Sequence, residues 1–98
     1  MGSYLSIWEV DRTRVPVDRK ERGTGWAGLM GMIRQQIEQG LITSWGAFVG
    51  EECGYAVWEG SELEVMNAMQ QYVPFVHFKT HPVASEEQVN DMIKELSG

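Results

Sequence analysis

The chain reads as an α+β fold, a four-stranded antiparallel sheet with helices packed on one face. Three observations predict it. Segments rich in aromatic and β-branched residues alternate with segments whose apolar residues recur at helical spacing. Two of the strand segments are separated only by "EEC" and flanking glycines, which closes them into an antiparallel hairpin. Two capping-box spellings, "SELE" at Ser61 and "SEEQ" at Ser85, mark helix starts.

The first strand is "YLSIWEV", Tyr4 to Val10. Asp11 to Arg22 is mostly charged, contains Pro16 and reads as a loop leading into a helix. In that helix Trp26, Leu29, Met30, Ile33 and Ile37 keep helical spacing, and Gly40 supplies the stop. Gly28 and Gly31 cost about 1 kcal/mol each against Ala, so either something presses closely on that face or the first turns are loose. Leu41 to Gly50 and Gly54 to Gly60 are the hairpin strands. Ser61 opens a second helix with the stripe Val65, Met66, Met69 and Tyr72. Val73 to Val83 is the fourth strand, marked at its ends by Pro74 and Pro82. Val89, Met92, Ile93 and Leu96 trace a one-sided terminal helix. Strand-helix-strand-strand-helix-strand is the ferredoxin-like plan, here with an added C-terminal helix.

Ninety-eight residues make one domain, with an ordered core expected over residues 4–96. A chain this short buries a limited core, so association would help it. Net charge is −6 and no stretch of Lys and Arg forms a phosphate-binding stripe, which argues against nucleic acid. The apolar runs are too short to span a membrane. The single cysteine, Cys53, excludes an internal disulfide and points to a reducing, cytoplasmic setting. Beside Glu51 and Glu52 its thiolate is disfavoured, so it is a poor nucleophile.

Two spellings imitate sites. "GTGWAG", Gly23 to Gly28, matches the dinucleotide fingerprint, but no strand directly precedes it and the later strands pair as a hairpin. The glycines read instead as packing positions at a helix entry. His77 and His81 have the spacing of a zinc pair, but that spacing joins two ligands only on a helix. On a strand they stand about 13 Å apart, and no further ligands accompany them, so no metal and no cofactor is expected.

With helices on one side of the sheet, the other face must be polar or covered. Val76 and Phe78 suit the helix side, and Phe75, His77, Lys79 and His81 the open side. Leu5 and Ile7 are assigned to the core, leaving Tyr4, Ser6 and Trp8 on the open face. Trp45 and Trp58 suit either side, and a bulge would reverse their phase. An open face bearing Trp8 and Phe75 favours a homodimer whose sheets close together. The candidate cleft on it has His77 as general acid or base. Ser6 and Tyr55 orient a substrate, Trp8, Trp45 and Phe75 stack on it, and Glu59 fixes the tautomer of His77.

The element order, the hairpin "WGAFVGEECGYAVWEG", the following "SELEVMNAMQQYVPFVHFKTHPV" and the last helix resemble the dimeric α/β-barrel superfamily. The chain is similar to small stand-alone members and, more distantly, to muconolactone isomerases and antibiotic-biosynthesis monooxygenases. The resemblance runs from Tyr4 to Leu96 and carries over no catalytic residue. It implies a homodimer with a pocket between sheet and helices, often free of metal and cofactor. Two functions follow as expectations. One is a protein that binds or transforms a small apolar or aromatic molecule, with isomerase- or monooxygenase-like chemistry if it is an enzyme. The other is a dimeric assembly module with no ligand.

Overall fold

A computed structural model describes residues 2–98. The strands are β1 (Gly2–Val10), β2 (Ile42–Ala47), β3 (Cys53–Gly60) and β4 (Val76–Val83). The helices are α1 (Arg19–Glu38), α2 (Glu62–Gln70) and α3 (Glu86–Ser97), and a 3₁₀ turn occupies Arg12–Arg14. The strands form one antiparallel sheet in the order β2-β3-β1-β4. β1 and β3 are therefore central, and α1 and α2 each carry the chain across an intervening strand. The α+β architecture is as the sequence predicts.

Local chemistry sets the element ends. Asp18 caps α1 by accepting from the Glu21 amide, so the helix starts earlier than the apolar periodicity suggests. Past its end Gly40 takes φ +78°, the left-handed conformation that releases a chain from a helix. Both capping boxes form: Ser61 and Ser85 accept from the amides of Glu64 and Gln88, whose side chains bond back to the cap amides. β4 begins only at Val76, because Tyr72 carbonyl accepts from the amides of Phe75 and Val76 and holds that approach as a turn.

The core joins Trp8, Ile42, Ala56, Trp58, Val65, Ala68, Tyr72 and Val76. This reverses the phase predicted for β1. Ser6 and Trp8 are buried under the helices, whereas Ile7 is exposed and Leu5 half-buried on the open face. Both sets of alternating β1 side chains are largely apolar, so periodicity does not choose between them. Burial of Ser6 is made tolerable by a 2.8 Å hydrogen bond between its hydroxyl and that of Thr80, directly opposite on β4. In β2 the register slips between Ile42 and Ser44. This bulge puts Ile42, opposite Trp58, and Trp45, opposite Ala56, on the helix-covered face despite their odd spacing.

Close approach is concentrated at Gly54. A Cβ there would lie 2.1 Å from Gly46 carbonyl oxygen and 2.5 Å from the Trp8 ring, on backbone and on a buried indole that have no room to give. At Gly31 an added Cβ meets nothing, as at Gly28, so no neighbour presses on that part of α1. Gly54→Ala is expected to cost about 3 kcal/mol by overpacking. Gly31→Ala is expected to add about 0.8 kcal/mol through helix propensity. Urea unfolding of the two variants beside the wild-type protein measures both.

Candidate functional site

The half of α1 nearest its C-terminus is anchored, and its first turns stand away from the sheet. Gln36, the one buried residue of α1, makes the anchor. Its Oε1 accepts from the Tyr72 hydroxyl at 2.7 Å and its Nε2 donates to Ala68 carbonyl at 3.1 Å. An amide removed from water is thus satisfied at both ends, and α1 is tied to α2 and to the turn beyond it. Leu29, Met32 and Ile33 pack against the core from the same side. Toward the N-terminus the main support is Trp26, whose ring meets that of Trp8 edge-on, 6.3 Å between centroids at 70°.

Two adjoining spaces result. A small cavity of about 40 Å³ lies between α1 and the sheet, and all four tryptophans, Trp8, Trp26, Trp45 and Trp58, border it. Tyr72 and Phe78 complete its aromatic wall, with Phe78 edge-on to both Trp58 and Tyr72. Val10, Trp26 and Leu29 are shared with a larger cleft of about 590 Å³ at the open end of α1. Its apolar lining includes Val15, Pro16, Met32 and Phe75, and Arg14, Arg22, Thr24, Glu51 and Glu52 supply polar groups.

Several of those polar groups hold the walls in place. Arg22 donates from Nη1 to the carbonyls of Pro16 and Val17, which folds the charged loop against the start of α1. Arg14 lies over the Phe75 ring at 6.0 Å and pairs with Asp11 at 3.4 Å. Asp11 also accepts from the hydroxyl and amide of Thr13, and these two bonds, with Arg14 adding less, hold its carboxyl below the usual range. On the hairpin side Arg12 pairs with Glu52 at 3.4 Å. The indole N–H of Trp58, which is 1% exposed, has no partner among the described residues. Trp8, by contrast, donates its indole N–H to Tyr55 carbonyl at 3.0 Å.

No protein-family model matches the chain, and no curated protein matches it in sequence.

The residues singled out from the sequence are divided between the two faces of the sheet. Trp8 and Trp45 border the tryptophan cavity and Phe75 borders the cleft, all on the helix side rather than the open face. Ser6 is fully buried with Thr80 and reaches neither space. His77, Tyr55 and Glu59 lie on the opposite, open face, where Tyr55 hydroxyl is 3.2 Å from that of Ser44. Glu59 is not a partner of His77. It accepts from Ser3 hydroxyl at 2.9 and 2.8 Å, while His77 sits opposite Glu9. Ser3 and Glu9 are six residues apart on β1, so the two positions are separated by roughly 20 Å. His77 therefore shares no enclosure with the tryptophans.

Trp26 and Leu29 emerge as wall residues of both spaces, a role that helical spacing alone does not separate from ordinary core packing. Gly25 and Gly28 line the cleft within α1 itself, well past its N-terminus, where no free amides are presented to a phosphate. The dinucleotide spelling thus marks a thin helix wall. Cys53 has its thiol pushed up, first by burial and then by Glu51, in keeping with a poor nucleophile.

Burial raises the Tyr72 phenol to about 12. The unfolded chain then loses this proton first, so the stabilisation is full below pH 10 and drains away as pH rises toward 12. Tyr72→Phe leaves Gln36 Oε1 without its donor and is expected to cost about 1–3 kcal/mol at neutral pH. That cost should shrink between pH 10 and 12, as read by denaturant unfolding of both proteins across the range.

Proposed function

We propose that the protein binds a small, largely apolar molecule carrying an aromatic or similarly flat group, held between α1 and the sheet. The observation that carries this reading is the convergence of all four tryptophans on one cavity that shares the walls Val10, Trp26 and Leu29 with the larger cleft. Four indoles scattered along the sequence are brought together where α1 stands off its support. A cleft of about 590 Å³ falls in the range of small-molecule sites, which combine apolar walls with a few polar groups. The walls supply stacking surfaces and the mouth supplies charge. The resemblance to dimeric α/β-barrel proteins, whose pockets lie between sheet and helices, supports the same location.

The reading is of binding. Glu51 and Glu52 are the carboxylates that border the cleft, and His77, the candidate acid or base, faces away from it. A turnover chemistry in this cleft would have to work through those carboxylates or through groups of the ligand itself. The second reading, a dimeric assembly module, is favoured by a different observation, the apolar open face of the sheet. It concerns the other side of the molecule and is compatible with a ligand under α1.

An anilinonaphthalene sulfonate dye, which joins an aromatic body to an anionic group, is a suitable probe. Titration should show saturable binding with energy transfer from the surrounding tryptophans. Trp26→Ala removes a wall that is 41% exposed, leaving the buried core intact. It should weaken binding by about tenfold or more, which is about 1.4 kcal/mol. His77→Ala should bind the dye as the wild-type protein does. No saturable binding, or equal affinity in Trp26→Ala, would overturn the proposal. Native mass spectrometry of gently purified protein then reports any natural occupant as an excess mass that Trp26→Ala loses.

A further inference from the structure

Among the described residues, the buried polar side chains of the core are bonded with one exception. Ser6 meets the Thr80 hydroxyl, the Trp8 indole donates to Tyr55 carbonyl, and the Tyr72 hydroxyl donates to Gln36. The indole N–H of Trp58 has no such partner, in a side chain that is 1% exposed. An enclosed donor without an acceptor is costly, because it has lost its hydrogen bond to water and gained none. Such a group in a core points to an acceptor that the folded chain does not itself supply.

The tryptophan cavity is the side from which an acceptor can come. Trp58 stands opposite Tyr4 on β1 and Ile42 on β2, and Phe78 meets its ring edge-on with centroids 5.8 Å apart. Of the two spaces beside α1 it borders the cavity and not the cleft. Because Val10, Trp26 and Leu29 are walls of both, a molecule lying in the cleft is one side chain away from the cavity. Added Cβ atoms at Gly25 and Gly28 meet nothing, so the stretch of α1 around Trp26 has room to yield.

We propose that the ligand carries a neutral carbonyl group, that this group projects past Trp26 into the tryptophan cavity, and that the Trp58 indole N–H donates to its oxygen. The inference rests on the cleft being a ligand site. The lining narrows the chemistry. No Lys, Arg or His borders the cavity, so a carboxylate or other anion would lose its water with no opposite charge to replace it. Tyr72 supplies the one side-chain oxygen in the lining, and it is already bonded to Gln36. A ligand hydroxyl or a water brings hydrogens of its own, and a buried water needs about two to four polar partners. A carbonyl needs only the donor that Trp58 offers. Size agrees. A water-sized group needs about 10–15 Å³. A cavity of about 40 Å³ therefore takes roughly three heavy atoms, enough for an aldehyde or an acetyl group and too few for a ring.

Two naphthalenes of the same shape test this on the full chain. 2-Acetylnaphthalene carries the carbonyl, and 2-isopropenylnaphthalene has a CH₂ group in place of its oxygen. The hydrocarbon is the more apolar, so partition into an apolar cleft alone favours it. Titration of isotope-labelled protein, followed by NMR through its four indole signals, should instead give about tenfold tighter binding of the ketone. The Trp58 indole proton, assigned through its proximity to Phe78, should move downfield with the ketone and not with the hydrocarbon. Trp58→Phe keeps an aromatic ring and removes the donor, and the folded variant should bind both probes alike. If that variant does not fold, the Trp58 signal of the wild-type protein decides. Equal saturable binding of the two probes overturns the carbonyl inference and leaves the cleft as a ligand site. A Trp58 signal that the ketone does not move, or a preference for the ketone that survives Trp58→Phe, does the same. So does a Trp58 proton already hydrogen-bonded to a long-lived water in the free protein and unmoved by the ketone. Saturable binding of neither probe overturns the ligand site itself, and the carbonyl inference with it.

Discussion

The buried side-chain amide of Gln36 is the interaction on which the site geometry depends. An amide in an apolar interior is costly unless both of its ends are bonded, and here the Tyr72 hydroxyl and Ala68 carbonyl bond one end each. That requirement fixes the distance and rotation of α1 relative to α2. With its C-terminal half held there, α1 passes over the sheet at an offset that its first turns, lined by Gly25 and Gly28, do not fill. The cleft is the space left over. Trp26 partly bridges the gap to Trp8, which is why the tryptophan cavity and the cleft adjoin without merging into a single void.

The two faces of the sheet have separate physical roles. On the covered face large rings alternate with small residues along β3, where Gly54, Ala56, Trp58 and Gly60 are all buried. Gly54 and Ala56 make room for Trp8 and Trp45, so the aromatic wall depends on missing side chains as much as on the rings. On the open face the side chains are medium-sized and aliphatic, with polar groups toward the edges. Leu5, Ile7 and Val57 are suited to a flat contact rather than to an enclosed pocket. The ligand cleft proposed above and the apolar open face thus lie on opposite sides of one sheet, and a substitution on one side need not disturb the other.

No helix of the described residues is long and apolar enough to cross a membrane. The charged segment between β1 and α1 has a structural role in the cleft. Arg22 and Arg14 spend much of their hydrogen-bonding and ion-pairing capacity on the loop carbonyls, on Asp11 and on the Phe75 ring. This holds Val15 and Pro16 against the mouth, so the loop forms part of the wall. Cations used this way contribute shape first, and the charge they offer a ligand comes second.

The element order, the hairpin, both capping boxes, the glycine stop at Gly40 and the apolar stripe of α3 were legible in the sequence, because each rests on residues close together in the chain. The phase of β1 was not. Tyr4, Ser6 and Trp8 are nearly as apolar a set as Leu5 and Ile7, and the choice was made by partners far away: Thr80 for the Ser6 hydroxyl, Tyr55 carbonyl for the Trp8 indole, and Gly54 for its ring. The candidate site moved with that choice, since turning β1 over carried Trp8 from the open face to the covered one and left His77 behind. The bulge at Thr43 likewise placed Trp45 by a backbone register that no alternation pattern records. Local chemistry determined which elements form. Which side chains share an enclosure was decided only when buried polar groups found distant partners, because that satisfaction is a property of the packed structure.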